Sequence, residues 1–321
     1  MKLTLGRPEH SERISAFYRK LHDESFAHPE LFSSETVAQL IADEELAVVI
    51  AADQQSILGC GLAFIQTWNQ SLEIATISVV PSENRAAIGK ALFEALRRMG
   101  MKRYGIVFFR AASQNAFHQG RKMGASCWGY RPAPGEVRIS KSELIMGFPP
   151  GGKHPRVEPP RNGITRLPFA KRLVVESEIA ESGVPYPKSF PVGCPQGTGA
   201  PVISGRVWPT YHSRGNYIQI ENAAGAFPVE IITEFTRMVE RKKVHDVRLT
   251  LPANQEEPFY ELMEFGFRPV AYLPGWYLRG AYRFDCIQMV RGAPALPRDP
   301  QEFIEKAVVR INSELSEDLG R

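Results

Sequence analysis

Six residues, Asn84-Arg85-Ala86-Ala87-Ile88-Gly89, have the types and spacing to seat a phosphate. They follow an apolar stretch that reads as a strand, residues 72–80, and the turn Pro81-Ser82-Glu83. They open a predicted helix with Ile88, Leu92 and Leu96 on one face. The first turn of a helix leaves backbone N–H groups without intrahelical partners, and the helix dipole adds partial positive charge there. A phosphate or pyrophosphate suits such a site. Small residues at Ala86, Ala87 and Gly89 let a ligand approach the backbone closely.

The same residues carry a family resemblance. The run Val79-Val80-Pro81-Ser82-Glu83-Asn84-Arg85-Ala86-Ala87-Ile88-Gly89-Lys90-Ala91-Leu92 resembles the acyl-CoA-binding motif of the GNAT family, the Gcn5-related N-acetyltransferases. The family pattern, V-x-P-x-x-[QR]-x-x-G-x-[GA]-x-A-L, lies on it without a gap. Asn84 replaces the usual Gln or Arg, and Ala87 replaces the first Gly, adding a methyl where a pyrophosphate would approach. Neither change removes a backbone donor. The resemblance implies acetyl-CoA, or another acyl-CoA, as co-substrate and a small-molecule or protein amine as acceptor, with no metal. It implies a coenzyme-binding set of Val79, Val80, Asn84, Arg85, Ala86, Ala87, Ile88, Gly89 and Lys90, with Ser113 at the position of a family Asn. It also implies that the strand before the motif splays from its neighbour. The N–H groups of Ser78, Val79 and Val80 would then be left for the thioester and pantetheine.

The implied chemistry is attack of an amine on a thioester. An ammonium group near pKa ~10 must first lose a proton, so a base is needed. Glu73 is the candidate base, because in a regular strand Glu73, Ala75, Ile77 and Val79 share one face. A family strand glutamate sits nearer the motif, at about Ala75 here. The departing thiolate needs a proton or stabilisation. The family tyrosine that supplies it falls on Gly120 in the first half and on Leu262 in the second. His118, Tyr130 and Tyr260 are the substitutes at hand. The 7 histidines show no metal-ligand spacing. The glycine-rich run from Gly193 to Gly199 has prolines beside it and does not fit a P-loop.

The elements that must position these residues can be read along the chain. A strand at 2–5 leads to a helix with Ser11 as cap and Ile14, Phe17, Tyr18 and Leu21 inward. A second helix begins after Ser34. Strands at 46–52, 57–68 and 72–80 precede the motif helix. A strand near 104–109, a helix near 113–123 and two late strands ending near Met146 follow. This order, β-α-α-β-β-β-α-β-α-β-β, is that of the GNAT fold and sets the first domain at residues 1–148. Residues 149–162 are rich in proline, glycine and basic side chains and read as a linker.

The second half, 163–296, repeats the first. Phe117, Gly124, Tyr130 and Pro132 match Phe259, Gly266, Tyr272 and Pro274 at one constant spacing, and Met146 matches Met289 one residue later. The run 228–241 matches the motif helix, but Pro228 removes a donor and Ile231 stands near where the motif needs a small residue. The expected architecture is therefore α/β (α+β): two tandem GNAT-like domains, each a mixed central sheet flanked by helices, the second degenerate. Residues 297–321 read as a C-terminal helix that packs on its own chain or on a partner subunit, leaving a homodimer open.

Bulk composition agrees. With 321 residues the chain is long enough for two domains of about 150. A net charge of +4 gives no push toward nucleic acid. Four dispersed cysteines form no CxxC pair and fit a reduced cytoplasm. The N-terminus turns polar too early for a signal peptide, and no apolar run is long enough to span a membrane. The reading is an acyl-CoA-dependent N-acetyltransferase. The competing class is a GNAT-like pseudoenzyme that binds an acyl-CoA or a protein partner.

Overall fold

The computed structural model describes residues 1–23, 26, 28–54, 56–132, 142–148, 156–157, 209–212, 217–220, 244, 246–253, 256–279, 282–292, 304, 306–307 and 309. Two compact units divide them, Met1–Phe109 and the described residues from Arg110 onward. The glycine-rich run 193–199, the matched run 228–241 and most of the expected linker and tail helix lie outside the described residues.

The first unit holds β1 (Lys2–Leu5), α1 (Ser11–Leu21), α2 (Ser34–Ala42), β2 (Leu46–Ala52), β3 (Ile57–Gln66), β4 (Ser71–Val79), α3 (Arg85–Arg103) and the start of β5 (Ile106–Ala111). The strands lie in the order β1-β2-β3-β4-β5. Neighbours from β1 to β4 are antiparallel, and β4 and β5, joined through α3, are parallel. Ser11 is the first helical residue and not the cap: a single 3-10 turn, Pro8–His10, runs into α1. Ser33 does cap α2, accepting the Thr36 N–H at 3.2 Å.

The strand alternation splits the apolar residues between two faces. On one, Leu46, Val48 and Ile50 of β2 and Cys60 and Leu62 of β3 bury against Ile14, Phe17 and Tyr18 of α1 and Val37 of α2. On the other, α3 lays down Ile88, Leu92, Leu96 and Gly100. It comes so close that a methyl on Gly59 would stand 3.1 Å from Leu92 and one on Gly61 3.0 Å from Leu96. Those glycines set the height of α3 over the sheet.

The second unit holds α4 (Gln114–Lys122), β6 (Ser126–Arg131), β7 (Glu143–Gly147), β8 (Arg156–Val157), β9 (Pro209–His212), β10 (Tyr217–Ile220), β11 (Asp246–Pro252), α5 (Glu256–Glu264), β12 (Arg268–Arg279) and β13 (Tyr282–Arg291). Its strands run β7-β6-β12-β13-β11-β10-β9. β8 pairs with β13, so two residues of the expected linker belong to the sheet. The run β7-β6 meets its reverse, β12-β13, where Gly129 of β6 pairs with Ala271 of β12. Gly129 has φ +139°, and a side chain there would strike the Val270 carbonyl. Buried polar groups are tied together beside this core. Asp246 binds Arg248 through both oxygens, at 2.9 and 3.1 Å. Asp285 accepts the Tyr272 hydroxyl at 2.5 Å and the Gly275 N–H at 2.7 Å.

Candidate active site

The site is built where β4 runs out and α3 begins. β4 pairs with β3 along its whole length, from Gln66↔Ser71 to Gly59↔Val79. Its pairing with β5 is shorter and ends at Ile74↔Phe109. From Ala75 onward β4 has no second ladder partner among the described residues, as the family resemblance implies. Val80 donates its N–H to Leu58 at 2.9 Å. By antiparallel alternation Ser78 also faces β3, while Ile77 and Val79 point their N–H groups to the open edge. Of the three N–H groups expected to meet a thioester, that of Val79 points to the open edge. Val80 and Ser78 are turned to the β3 ladder, and Ile77 joins Val79.

Residues 81–87 are exposed, and Asn84 precedes α3 without a side-chain cap bond. No acidic residue stands in the first turn of α3. The first intrahelical bond is from Ile88 N–H to Asn84 O at 3.0 Å; Arg85 N–H is held by Ser82 O at 3.1 Å. The N–H groups of Ala86 and Ala87 precede the helical ladder and face solvent-exposed surface. Arg85 and Lys90 are exposed cations on the same turn and a half. Gly89 is informative by contrast with Gly100. A methyl at Gly100 would stand 2.5 Å from Val107, whereas one at Gly89 would meet only Ile77 and Val79 at 3.8 and 3.9 Å. The protein's own packing requires Gly100 but not Gly89. Glycine inside a helix costs about 1 kcal/mol relative to alanine, so Gly89 fits a position kept low for a ligand. These features fit a pyrophosphate-bearing coenzyme: Asn84 to Gly89 would hold the phosphates, and the edge of β4 the chain that follows.

Glu73 does not lie where regular alternation puts it. The β3–β4 register shifts between Leu62↔Thr76 and Ala63↔Ile74, so Ala75 is a bulge. The extra residue moves Glu73, paired with Phe64, onto the face of Thr76 and Ser78, away from Ile77 and Val79. Glu73 is buried in the half of β4 that pairs with β5, opposite Phe108. Strand rise puts it roughly 15 Å along the chain from Ser78.

The other candidates belong to the second unit. Ser113 is the cap of α4, accepting the Ala116 N–H at 3.2 Å. His118 is exposed on α4, with Nε2 3.2 Å from Gln114 Nε2. Tyr130 is fully buried on β6, and burial raises its pKa, although Arg268 pulls the other way. A buried phenol with a raised pKa is a core residue and a poor proton donor to a leaving thiolate. Tyr260 is exposed on α5.

A cluster that the sequence reading missed lies on the Ser78 face. His22, just past the end of α1, sets Nε2 2.9 Å from Ser78 Oγ. Its ring stacks on Phe26 at 4.0 Å and on Tyr18 at 5.8 Å. Burial lowers the His22 pKa, with Asp23 opposing. Tyr18 is fully buried, which holds its phenol pKa well above the ordinary value; its hydroxyl reaches Cys60 O at 3.4 Å and also bonds Ser78. The signal was present: Tyr18 and His22 are spaced i, i+4.

Comparison with known proteins bears on the same region. The model of the acetyltransferase (GNAT) family matches residues 13–123. No curated protein matches the chain. Among solved structures, the chain is similar to the aminoglycoside 6'-N-acetyltransferase from Enterococcus faecium, at 18% identity and TM-score 0.38, covering 46% of this chain and 96% of that one. It is also similar to a phosphinothricin acetyltransferase from Sinorhizobium meliloti in complex with AcCoA, at 20% identity and TM-score 0.39, covering 47% and 90%. Spermidine N-acetyltransferase from Vibrio cholerae is similar at 15% identity and TM-score 0.38, covering 46% and 94%. No helix among the described residues is long and apolar enough to cross a membrane.

Proposed function

We propose that the chain is an acyl-CoA-dependent N-acyltransferase that moves an acetyl group from acetyl-CoA to a primary amine by direct attack. The observation that carries this is the junction of β4 and α3. An open strand edge with the N–H groups of Ile77 and Val79 leads into an uncapped, acid-free helix start, inside the stretch that the family model matches. Acetyl-CoA supplies an activated thioester. The chain's part is to hold it, to offer donors where the carbonyl oxygen gains charge, and to take a proton from the amine. The N–H groups of Ala86 and Ala87, with Arg85 and Lys90, hold the phosphates, and those of Ile77 and Val79 face the acyl end.

We also propose that 163–296 is a second, degenerate GNAT-like domain. Supporting this, the repeat spacing maps α4 onto α5, β6 onto β12 and Gly129 onto Ala271, its own pairing partner. β9-β10-β11 also repeat the antiparallel-then-parallel pairing of β3-β4-β5. The acceptor is a small molecule or a protein amine.

The test is calorimetric titration of the intact chain with acetyl-CoA, followed by thiol release with an amine panel. One site per chain with amine-dependent release is expected. Binding without release favours the non-catalytic reading, and no binding overturns the proposal.

A further inference from the structure

We infer that Ser78 and His22 form the proton-accepting pair of the acyl transfer: Ser78 Oγ meets the acceptor amine, and His22 Nε2 takes the proton that the hydroxyl passes on. This rests on the acyltransferase reading above. Ser78 sits on β4 between Ile77 and Val79, the two residues whose N–H groups face the open edge. α3 covers the opposite face of the sheet at this point, through Gly59 and Gly61. The Ser78 face is covered by α1 and α2 and buries Ser78, and His22, half-buried just past the end of α1, is the side from which an acceptor at the edge reaches the pair.

The hydrogen bonds have a direction. Tyr18 is buried and keeps its proton, which it gives to Cys60 O at 3.4 Å. The Ser78 hydroxyl stands 2.9 Å from His22 Nε2 and gives it its proton in the tautomer that carries hydrogen on Nδ1. The neutral imidazole that this requires is the form that burial favours over the charged one. The His22 ring is held by stacking on Phe26 at 16° between planes, yet is only half-buried, so a proton taken up can leave to water.

The balance closes. The ammonium nitrogen loses two protons in becoming an amide. Its lone pair forms the new bond to the acyl carbon, and the carbon–sulfur bond breaks with its pair on sulfur. One proton ends on the thiol, and one leaves through His22. A protonated His22 cannot accept, so the rate falls as pH drops through its pKa, which lies below the ordinary histidine value. The other titratable groups around the ring are Tyr18 on α1, Asp23 beside it and Cys60 on β3; Glu73, on the same face of β4, stands roughly 15 Å further along the strand. The His28–Glu30 pair, 3.0 Å apart, lies across Phe26.

The test compares the intact wild-type chain with His22→Gln and Ser78→Ala. Acetyl-CoA affinity is read by calorimetry, and thiol release is followed against pH with spermidine, kanamycin and n-butylamine. Both variants are expected to keep acetyl-CoA affinity within about twofold and to lose about 10²-fold in kcat. The acidic limb of kcat/KM should be present in the wild type and absent from His22→Gln. Wild-type turnover in either variant overturns the pair, as does a limb unchanged in His22→Gln. So does a wild type that binds acetyl-CoA but releases no thiol with any of the three amines. A wild type that does not bind acetyl-CoA overturns the underlying acyltransferase reading instead.

Discussion

Gly89→Asp, with Gly89→Ala as its control, separates a ligand-binding role of the α3 start from a packing role. The alanine methyl meets Ile77 and Val79 at 3.8 and 3.9 Å, ordinary contact distances, so the helix need not move. Replacing glycine by alanine inside a helix favours the fold by about 1 kcal/mol. The aspartate variant also keeps the fold, since a negative charge near a helix N-terminus is favourable. What it adds is repulsion of a bound pyrophosphate. Two unit charges roughly 8 Å apart in an effective dielectric of ~20 interact by about 2 kcal/mol. With about two charges on the ligand and screening that roughly halves the sum, the loss is about 2 kcal/mol, or about thirty-fold in Kd. The assay is calorimetric titration with acetyl-CoA at low and at physiological salt, beside a thermal melt of each variant. The aspartate penalty should grow at low salt while the melt stays at or above the wild type. Aspartate and alanine variants that bind alike in folded protein would refute the placement of the coenzyme.

Three further outcomes follow from the packing. Gly100→Ala puts a methyl 2.5 Å from buried Val107 and should destabilise the first unit by about 1–2 kcal/mol in urea unfolding, net of its gain in helix propensity; a neutral or stabilising result would contradict the α3–β5 packing. Burial pushes the Cys60 thiol up to about 12. At a pH of about 8 its thiolate fraction is about 10⁻⁴, so iodoacetamide should spare Cys60 in the native chain and label it in urea, as read by peptide mass; rapid native labelling would contradict its burial. Asp285→Ala removes the acceptor of both the Tyr272 hydroxyl and the Gly275 N–H and should cost the second unit about 3 kcal/mol, against under about 1 kcal/mol if those bonds are dispensable.

Much of the first half was legible because its patterns are local. The motif helix carries Ile88, Leu92 and Leu96 at helical spacing and buries those three. The strand Leu46–Ala52 matches its predicted bounds, and the helix expected near 113–123 is α4. What was not legible depends on geometry that a single chain does not print. Nothing in Glu73-Ile74-Ala75-Thr76 marks Ala75 as a bulge, yet that one inserted residue reverses the face of Glu73. Which N–H groups remain for a ligand depends on the β3 ladder, which turns Val80 inward. The His22–Ser78 contact joins residues 56 positions apart, and only the stacking of α1 on the sheet brings them together. Tyr130 and His118 had the right chemistry as residue types. Complete burial of one and exposure of the other are tertiary facts.

The central claim is that the end of β4 and the start of α3 seat an acyl-CoA. Hydrogen exchange of the intact chain, with and without saturating acetyl-CoA, tests it most directly. The account predicts slowed exchange in peptides covering residues 77–89, centred on the amides of Ile77, Val79, Ala86 and Ala87. Exchange unchanged across 77–89 while acetyl-CoA is bound would contradict it.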